Sequence, residues 1–171
     1  MATKLTVRKI EHMFNKSDSP TGSEHSRRVI GVDPGARTGI CVLGPDGVEE
    51  VLTMAHDKAR YWISNAVRDA GELWVAAVEF SPSTHIYRRP GCSQRAMLKI
   101  AQNVERNRGY AREIIATLEA LGVKVVKLAP RNTKMDPAWF AEETGWEGRT
   151  SSHARDAYVA ASRVYQTGGP E

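Results

Sequence analysis

Cysteine is nearly missing from this chain of 171 residues: there are two, Cys41 and Cys92, far apart and in no CxxC or Cys/His pattern. A structural zinc site therefore has no ligand pattern to draw on. Cys41 lies in an apolar, strand-like run and reads as a small core residue. Long apolar runs are missing too, and none approaches the roughly 20 residues that span a bilayer. The N-terminus has no apolar stretch followed by a small-residue cleavage site, so the expected residence is the cytoplasm, with no membrane association. There is no internal repeat and no long low-complexity tract. Acid is scarce in one place: from His85 to Arg112 stand Arg88, Arg89, Arg95, Lys99, Arg106, Arg108 and Arg112 against Glu105 alone.

What is present suits one soluble domain with a real core. Hydrophobic residues make up 41% and charged residues 26%, an ordinary globular balance. The net charge is +4 and the pI about 9.2. That modest excess is compatible with a polyanionic partner, and its distribution matters more than its total.

Residues 1–27 read as a polar, flexible extension, with a Ser/Gly/Pro cluster at Ser17–Ser23 and room for a short helix at Lys4–Phe14. Residues 28–171 form the expected domain. Val29–Val32 reads as a buried strand closed by the Asp33-Pro34-Gly35 turn, Thr38–Leu43 as a second strand, and Val48–Met54 as a third after Pro45-Asp46-Gly47. These three form an antiparallel meander. Asp57 is suited to cap a helix running to about Ala70. Trp74–Phe80 is a nearly continuous apolar run, as in a strand covered on both faces. Ser93 starts a long helix to about Leu121, which Gly122 stops. Val123–Leu128 is a further strand. A short helix near Pro137–Thr144 and a last one from Ser152 to Tyr165 complete the chain. The order βββ-α-β-α-β-α implies an α/β fold: a mixed sheet of three antiparallel strands and two further strands, with helices on both faces. This is the element order of RNase H-like proteins.

The long helix repeats Met97, Ile100, Ala101, Val104, Ala111, Ile114, Ile115 and Leu118 at helical spacing, mostly as core residues, with some available for a dimer seam. Trp62, Trp74, Trp139 and Trp146 read as packing residues.

Four polar residues sit where element ends converge. Asp33 ends the first strand, and Glu79 ends the fourth after the uncharged run Leu73–Val78. His153 and Asp156 are three residues apart at the start of the last helix and share a face. Each has a plain structural reading. Asp33 suits a turn, and Asp156 suits a helix N-terminus. Glu79 is harder to place that way, because an acid at the end of a buried strand is costly unless paired. Together they suit phosphodiester hydrolysis, in which two Mg²⁺ ions about 3.5–4 Å apart activate water and neutralise the leaving oxygen. Mg²⁺ takes hard oxygen ligands and keeps several waters, so a few carboxylates suffice. Asp33 would bridge the ions, Glu79 and Asp156 would each hold one, and His153 would ligate the second or position a water.

The segments VIGVDPGARTGICVL, VAAVEF and HARDAYVAA resemble the opening strands, second acidic strand and final helix of RuvC-type Holliday junction resolvases, members of the RNase H-like superfamily. The resemblance runs from Arg28 to Tyr165. It implies Asp33, Glu79, His153 and Asp156 as the catalytic and metal-binding set and two Mg²⁺ per site, with Mn²⁺ as a substitute. It also implies a homodimer and paired nicks across a four-way DNA junction, in recombination and repair. The short TGWEGRTSSHARDA segment is closer to phage-encoded relatives. The chain departs from the cellular pattern in its N-terminal extension and its short basic segment before the last helix, where Arg131 and Lys134 are the available cations. Its aromatic residues after the second acid, Phe80 and then Tyr87, also lie in a differently built loop. Tyr87, Arg88, Arg89, Arg95, Lys99, Arg106, Arg108, Arg131 and Lys134 are the expected DNA contacts, since cations suit phosphates and tyrosine can stack on an unpaired base. Two alternatives stay open: an RNase H-like nuclease on RNA–DNA hybrids or flaps, and a non-catalytic nucleic-acid-binding module.

Overall fold

The structure is a computed structural model, and it describes residues 27–69, 74–82, 90–131 and 134–167. The expected N-terminal extension, apart from Arg27, and the helix at 4–14 lie outside these, as do Tyr87, Arg88 and Arg89. Five strands and four helices follow in the order β1 (Arg28–Asp33), β2 (Arg37–Gly44), β3 (Gly47–Ala55), α1 (His56–Asp69), β4 (Trp74–Glu79), α2 (Gln94–Ala120), β5 (Lys124–Leu128), α3 (Pro137–Thr144) and α4 (Ser152–Gln166).

The strands form one mixed sheet in the order β3-β2-β1-β4-β5. The β1–β2 and β2–β3 pairs are antiparallel; β1–β4 and β4–β5 are parallel. Strand alternation sends successive side chains to opposite faces. Ile30, Val32, Ile40, Val42, Ala76 and Val78 pack under Ala59 and Ile63 of α1 and Ile114, Ile115 and Leu118 of α2. Val29, Cys41, Leu43, Val75 and Ala77 pack under Ala157, Tyr158, Ala160, Ala161 and Val164 of α4, with Phe140 of α3 beside them. Cys41 is fully buried, which pushes its thiol up to about 12. It is a core residue, inert at neutral pH.

Local signals account for the ends of the elements. Ser93, Asp136 and Ser151 cap α2, α3 and α4 by accepting the backbone N–H groups of Ala96, Trp139 and Ala154. Gly145 takes the left-handed conformation that closes α3, at φ +70°. Asp57 differs from expectation: β3 runs into α1 without a turn, and the first helical residue, His56, donates its N–H to Ala36 O at 3.3 Å. Asp57 therefore lies inside the first turn, where its charge faces the helix dipole.

The long helix divides in two. Ala111, Ile114, Ile115 and Leu118 are buried, whereas Met97, Ile100, Ala101 and Val104 are only half-buried and Leu98 is exposed. Only the second half belongs to the core. Trp139 is likewise exposed, while Trp74 is buried and Trp62 and Trp146 pack against the two core clusters.

Candidate active site

Both inner parallel strands end on an acid. Val32 pairs with Val78, so the next residues, Asp33 and Glu79, end adjacent strands side by side. They share the parity of Val29, Val75 and Ala77, and so face α4.

The start of α4 is fixed over this sheet end by a row of three residues in register, Asp33–Gly39–Thr53. A Cβ on Gly39 would stand 2.0 Å from the His153 carbonyl oxygen, so only glycine lets the helix backbone come this close. Gly31 does the same one turn on, where a Cβ would meet the Ala157 carbonyl oxygen at 2.0 Å. On one side of Gly39, the Thr53 hydroxyl lies 2.5 Å from the hydroxyl of Ser151, the cap of α4. On the other, His153 Nδ1 lies 2.7 Å from Asp33 Oδ2. An ionised carboxylate only accepts, so Nδ1 carries the proton in this pair and Nε2 is left as the ring's second nitrogen. The Asp33-Pro34-Gly35 turn is held by buried Thr38, whose hydroxyl donates to Gly35 O at 2.9 Å.

Three residues after His153, the Asp156 carboxylate is buried and forms an ion pair with the Lys134 ammonium, which remains largely exposed. Arg155 stitches the two loops that flank this pair. Its buried guanidinium donates to Met135 O at 2.7 Å and to the Thr150 carbonyl and hydroxyl, both at 3.0 Å.

The electrostatics place Asp33, Glu79, Asp156 and Lys134 in one field. Burial pushes the Asp33 carboxyl above its ordinary range, against the pull of the His153 ring. Burial also pushes Glu79 up, to about 7, and the nearby charges of Asp33 and Asp156 add to it, with Lys134 and Arg163 opposing. Burial alone would lower the Lys134 ammonium; its hydrogen bond to Asp156 and the charges of Asp156, Asp33 and Glu79 outweigh this and raise it. Carboxylates therefore outnumber the cations beside them, the condition under which a further cation is favoured. The donor chemistry suits a hard divalent ion. As placed, however, among the described residues no three His, Cys, Asp or Glu side chains converge closely enough to hold one ion. Asp33 is turned to His153 and Asp156 to Lys134 instead.

The four expected site residues thus come to one end of the sheet. Of the expected DNA contacts, Arg95, Lys99, Arg106 and Arg131 are exposed and Lys134 faces the acids. Arg108 is different: it is 8% exposed, and its guanidinium donates to Glu105 at 2.9 Å and to Pro82 O at 3.2 Å. It ties α2 to the segment after β4 rather than offering a surface charge. The preceding Gln94–Asn107 form an arm of helix about 20 Å long at 1.5 Å per residue that contributes no buried side chain.

The sequence reading did not foresee the roles of Gly31, Gly39, Thr38, the Thr53–Ser151 pair or Arg155. The glycines carried a signal, since glycine inside a strand marks a close backbone approach. Comparison with family models and with curated proteins finds no match to this chain. No helix of the described residues is long and apolar enough to cross a membrane.

Proposed function

We propose that this chain is a divalent-metal-dependent endonuclease of the RNase H-like fold, acting on branched DNA and above all on four-way junctions, as a homodimer. The observation that carries the reading is the convergence of Asp33, Glu79 and Asp156 from β1, β4 and α4 on one sheet end, with the Glu79 carboxyl pushed up to about 7 by burial and by its neighbours' charge. An excess of buried carboxylate at a strand end is expensive, and clusters of this kind concentrate at functional sites. The sheet order β3-β2-β1-β4-β5 with α4 laid across the acidic end supports the fold assignment.

In this reading Asp33, Glu79 and Asp156 would hold Mg²⁺ or Mn²⁺. The ions would supply an activated water and neutralise charge on the phosphate. His153, bound to Asp33 through Nδ1, fixes the orientation of that carboxylate and keeps Nε2 available to order a water. Lys134 and Arg163 are the cations whose charge acts on Glu79. Arg95, Lys99 and Arg106, exposed on the first half of α2, would hold DNA phosphates. A two-fold dimer would present two equal sites to a nearly two-fold junction.

The test is a cleavage panel of four-way junction, flap, linear duplex and RNA–DNA hybrid, each with Mg²⁺, Mn²⁺ or EDTA. The expected result is paired nicking of the junction in either metal and none in EDTA. Preferential cutting of hybrid or flap would move the substrate assignment. Junction binding without cleavage in any lane would make the chain a binding module.

A further inference from the structure

The Lys134–Asp156 pair places an exposed, tethered cation on the acid that the nuclease reading gives to a metal ion. The lysine is not held there by its own packing, since most of its side chain is in solvent. Its backbone is held: the neighbouring Met135 is buried, and Met135 O accepts from Arg155, the residue beside Asp156 on α4. The ammonium is therefore kept within reach of Asp156 while remaining free to swing away. It also lies in the field of Asp33 and Glu79. A cation in that position satisfies the acids while the site is empty and competes with any ion that would take its place.

We propose that Lys134 is an internal counter-ion that gates loading of the divalent metal at Asp156, so that metal binds fully only when a DNA phosphate draws the ammonium away. The inference rests on the nuclease reading. It adds that metal and DNA bind cooperatively because they exchange one lysine between them: Lys134 leaves Asp156 for the phosphate, and the negative charge it leaves behind favours the metal. Linkage makes the effect reciprocal, so metal must tighten DNA binding by the same factor by which DNA tightens metal binding. Arg155 is a positioning residue in this scheme, because it fixes the loop from which Lys134 reaches the acid.

The test measures Mn²⁺ binding by electron paramagnetic resonance, with and without a short linear duplex, in the full chain and in Lys134→Met, Lys134→Arg and Asp156→Asn variants. Lys134 is exposed, so these changes leave the fold intact. Lys134→Met should bind Mn²⁺ about fivefold more tightly than wild type without DNA, the upper range for a partly exposed ion pair. It should also lose most of the gain that wild type shows on adding duplex. Lys134→Arg should behave as wild type, and Lys134→Met combined with Asp156→Asn in one chain should show no gain over Asp156→Asn alone. Equal or weaker Mn²⁺ binding by Lys134→Met, while Asp156→Asn impairs binding, would overturn the gate and leave the nuclease reading standing. Wild-type Mn²⁺ binding that is indifferent to Asp156→Asn, and equally to Asp33→Asn and Glu79→Gln, would overturn both.

Discussion

The two faces of the sheet are packed by different rules. Toward α1 and α2 the strands present Ile30, Val32, Ile40 and Val78, which meet Ile63, Ile114 and Leu118; bulk fills the space between layers. Toward α4 they present Gly31, Gly39, Cys41 and Ala77, which meet Ala154, Ala157, Ala160 and Ala161. Small residues on both sides bring the α4 backbone onto the strands, and the polar residues at its N-terminus onto Asp33. The first face buries more side-chain volume and so contributes more to stability. The second gives up bulk for position: at an approach this close, a shift of an ångström in α4 would move His153 and Asp156 together relative to Asp33 and Glu79.

That contrast is open to direct attack. The largest combined effect is expected from Gly39→Ala, whose methyl group has no room against the His153 carbonyl oxygen. It should cost about 3 kcal/mol or more of stability and remove cleavage, because α4 must lift from the sheet. On the opposite face, Ile114→Ala should cost a similar 2–5 kcal/mol by opening a cavity, yet leave cleavage per folded molecule close to wild type. Thermal melts paired with activity at a temperature where both variants are folded separate the two. Equal loss of activity in both would mean that the faces do not differ in the way described.

A smaller effect sharpens the same point, because the site is built at the expense of stability. The Glu79 carboxyl is raised from its ordinary value of 4.5 to about 7. Between those values the folded chain holds a proton that the unfolded chain has released, so stability falls as pH rises through that window. Glu79→Gln should therefore raise the melting temperature of the metal-free protein at pH 8, leave it nearly unchanged at pH 4.5, and abolish cleavage. Mg²⁺ should stabilise wild type and not the variant. A variant less stable than wild type at pH 8 without metal would contradict the electrostatic account.

The smallest expected effect lies on the arm of α2. Changing Arg95 and Lys99 to Ala removes two exposed cations and should reduce the slope of log affinity against log salt by about 0.9 per lost phosphate contact on duplex DNA, with little change in melting temperature. An unchanged slope would place the DNA surface elsewhere.

Much of this architecture was readable in the amino-acid sequence, for identifiable reasons. Strands β1, β2 and β4 announced themselves as apolar runs, and α2 because Ser93 opens it, whereas Asp136 and Ser151, the caps of α3 and α4, went unread. Asp33, Glu79, His153 and Asp156 stood out because each is polar at the edge of an apolar element. What stayed hidden depends on partners distant along the chain. Thr53 and Ser151 are 98 residues apart, and nothing local in either announces the pair. Arg108 reads as one more cation in a basic run, since charge in a sequence carries no sign of burial; only its bonds to Glu105 and Pro82 reveal the tie. The apolar stripe of α2 is continuous in sequence, but only its second half is buried. Lys134 was legible as a cation before the last helix and not as the partner of Asp156, because the intervening α3 hides their proximity.

The central claim is that three carboxylates from three elements make one metal-dependent hydrolytic centre. The most direct measurement is the rate of junction nicking by wild type and by Asp156→Asn in Mg²⁺, with an EDTA lane and with junction binding measured in parallel. The account predicts that wild type cuts in Mg²⁺ and stops in EDTA, and that the variant binds the junction while losing cleavage by orders of magnitude. Nicking by Asp156→Asn at the wild-type rate, or wild-type nicking that continues in EDTA, would contradict it.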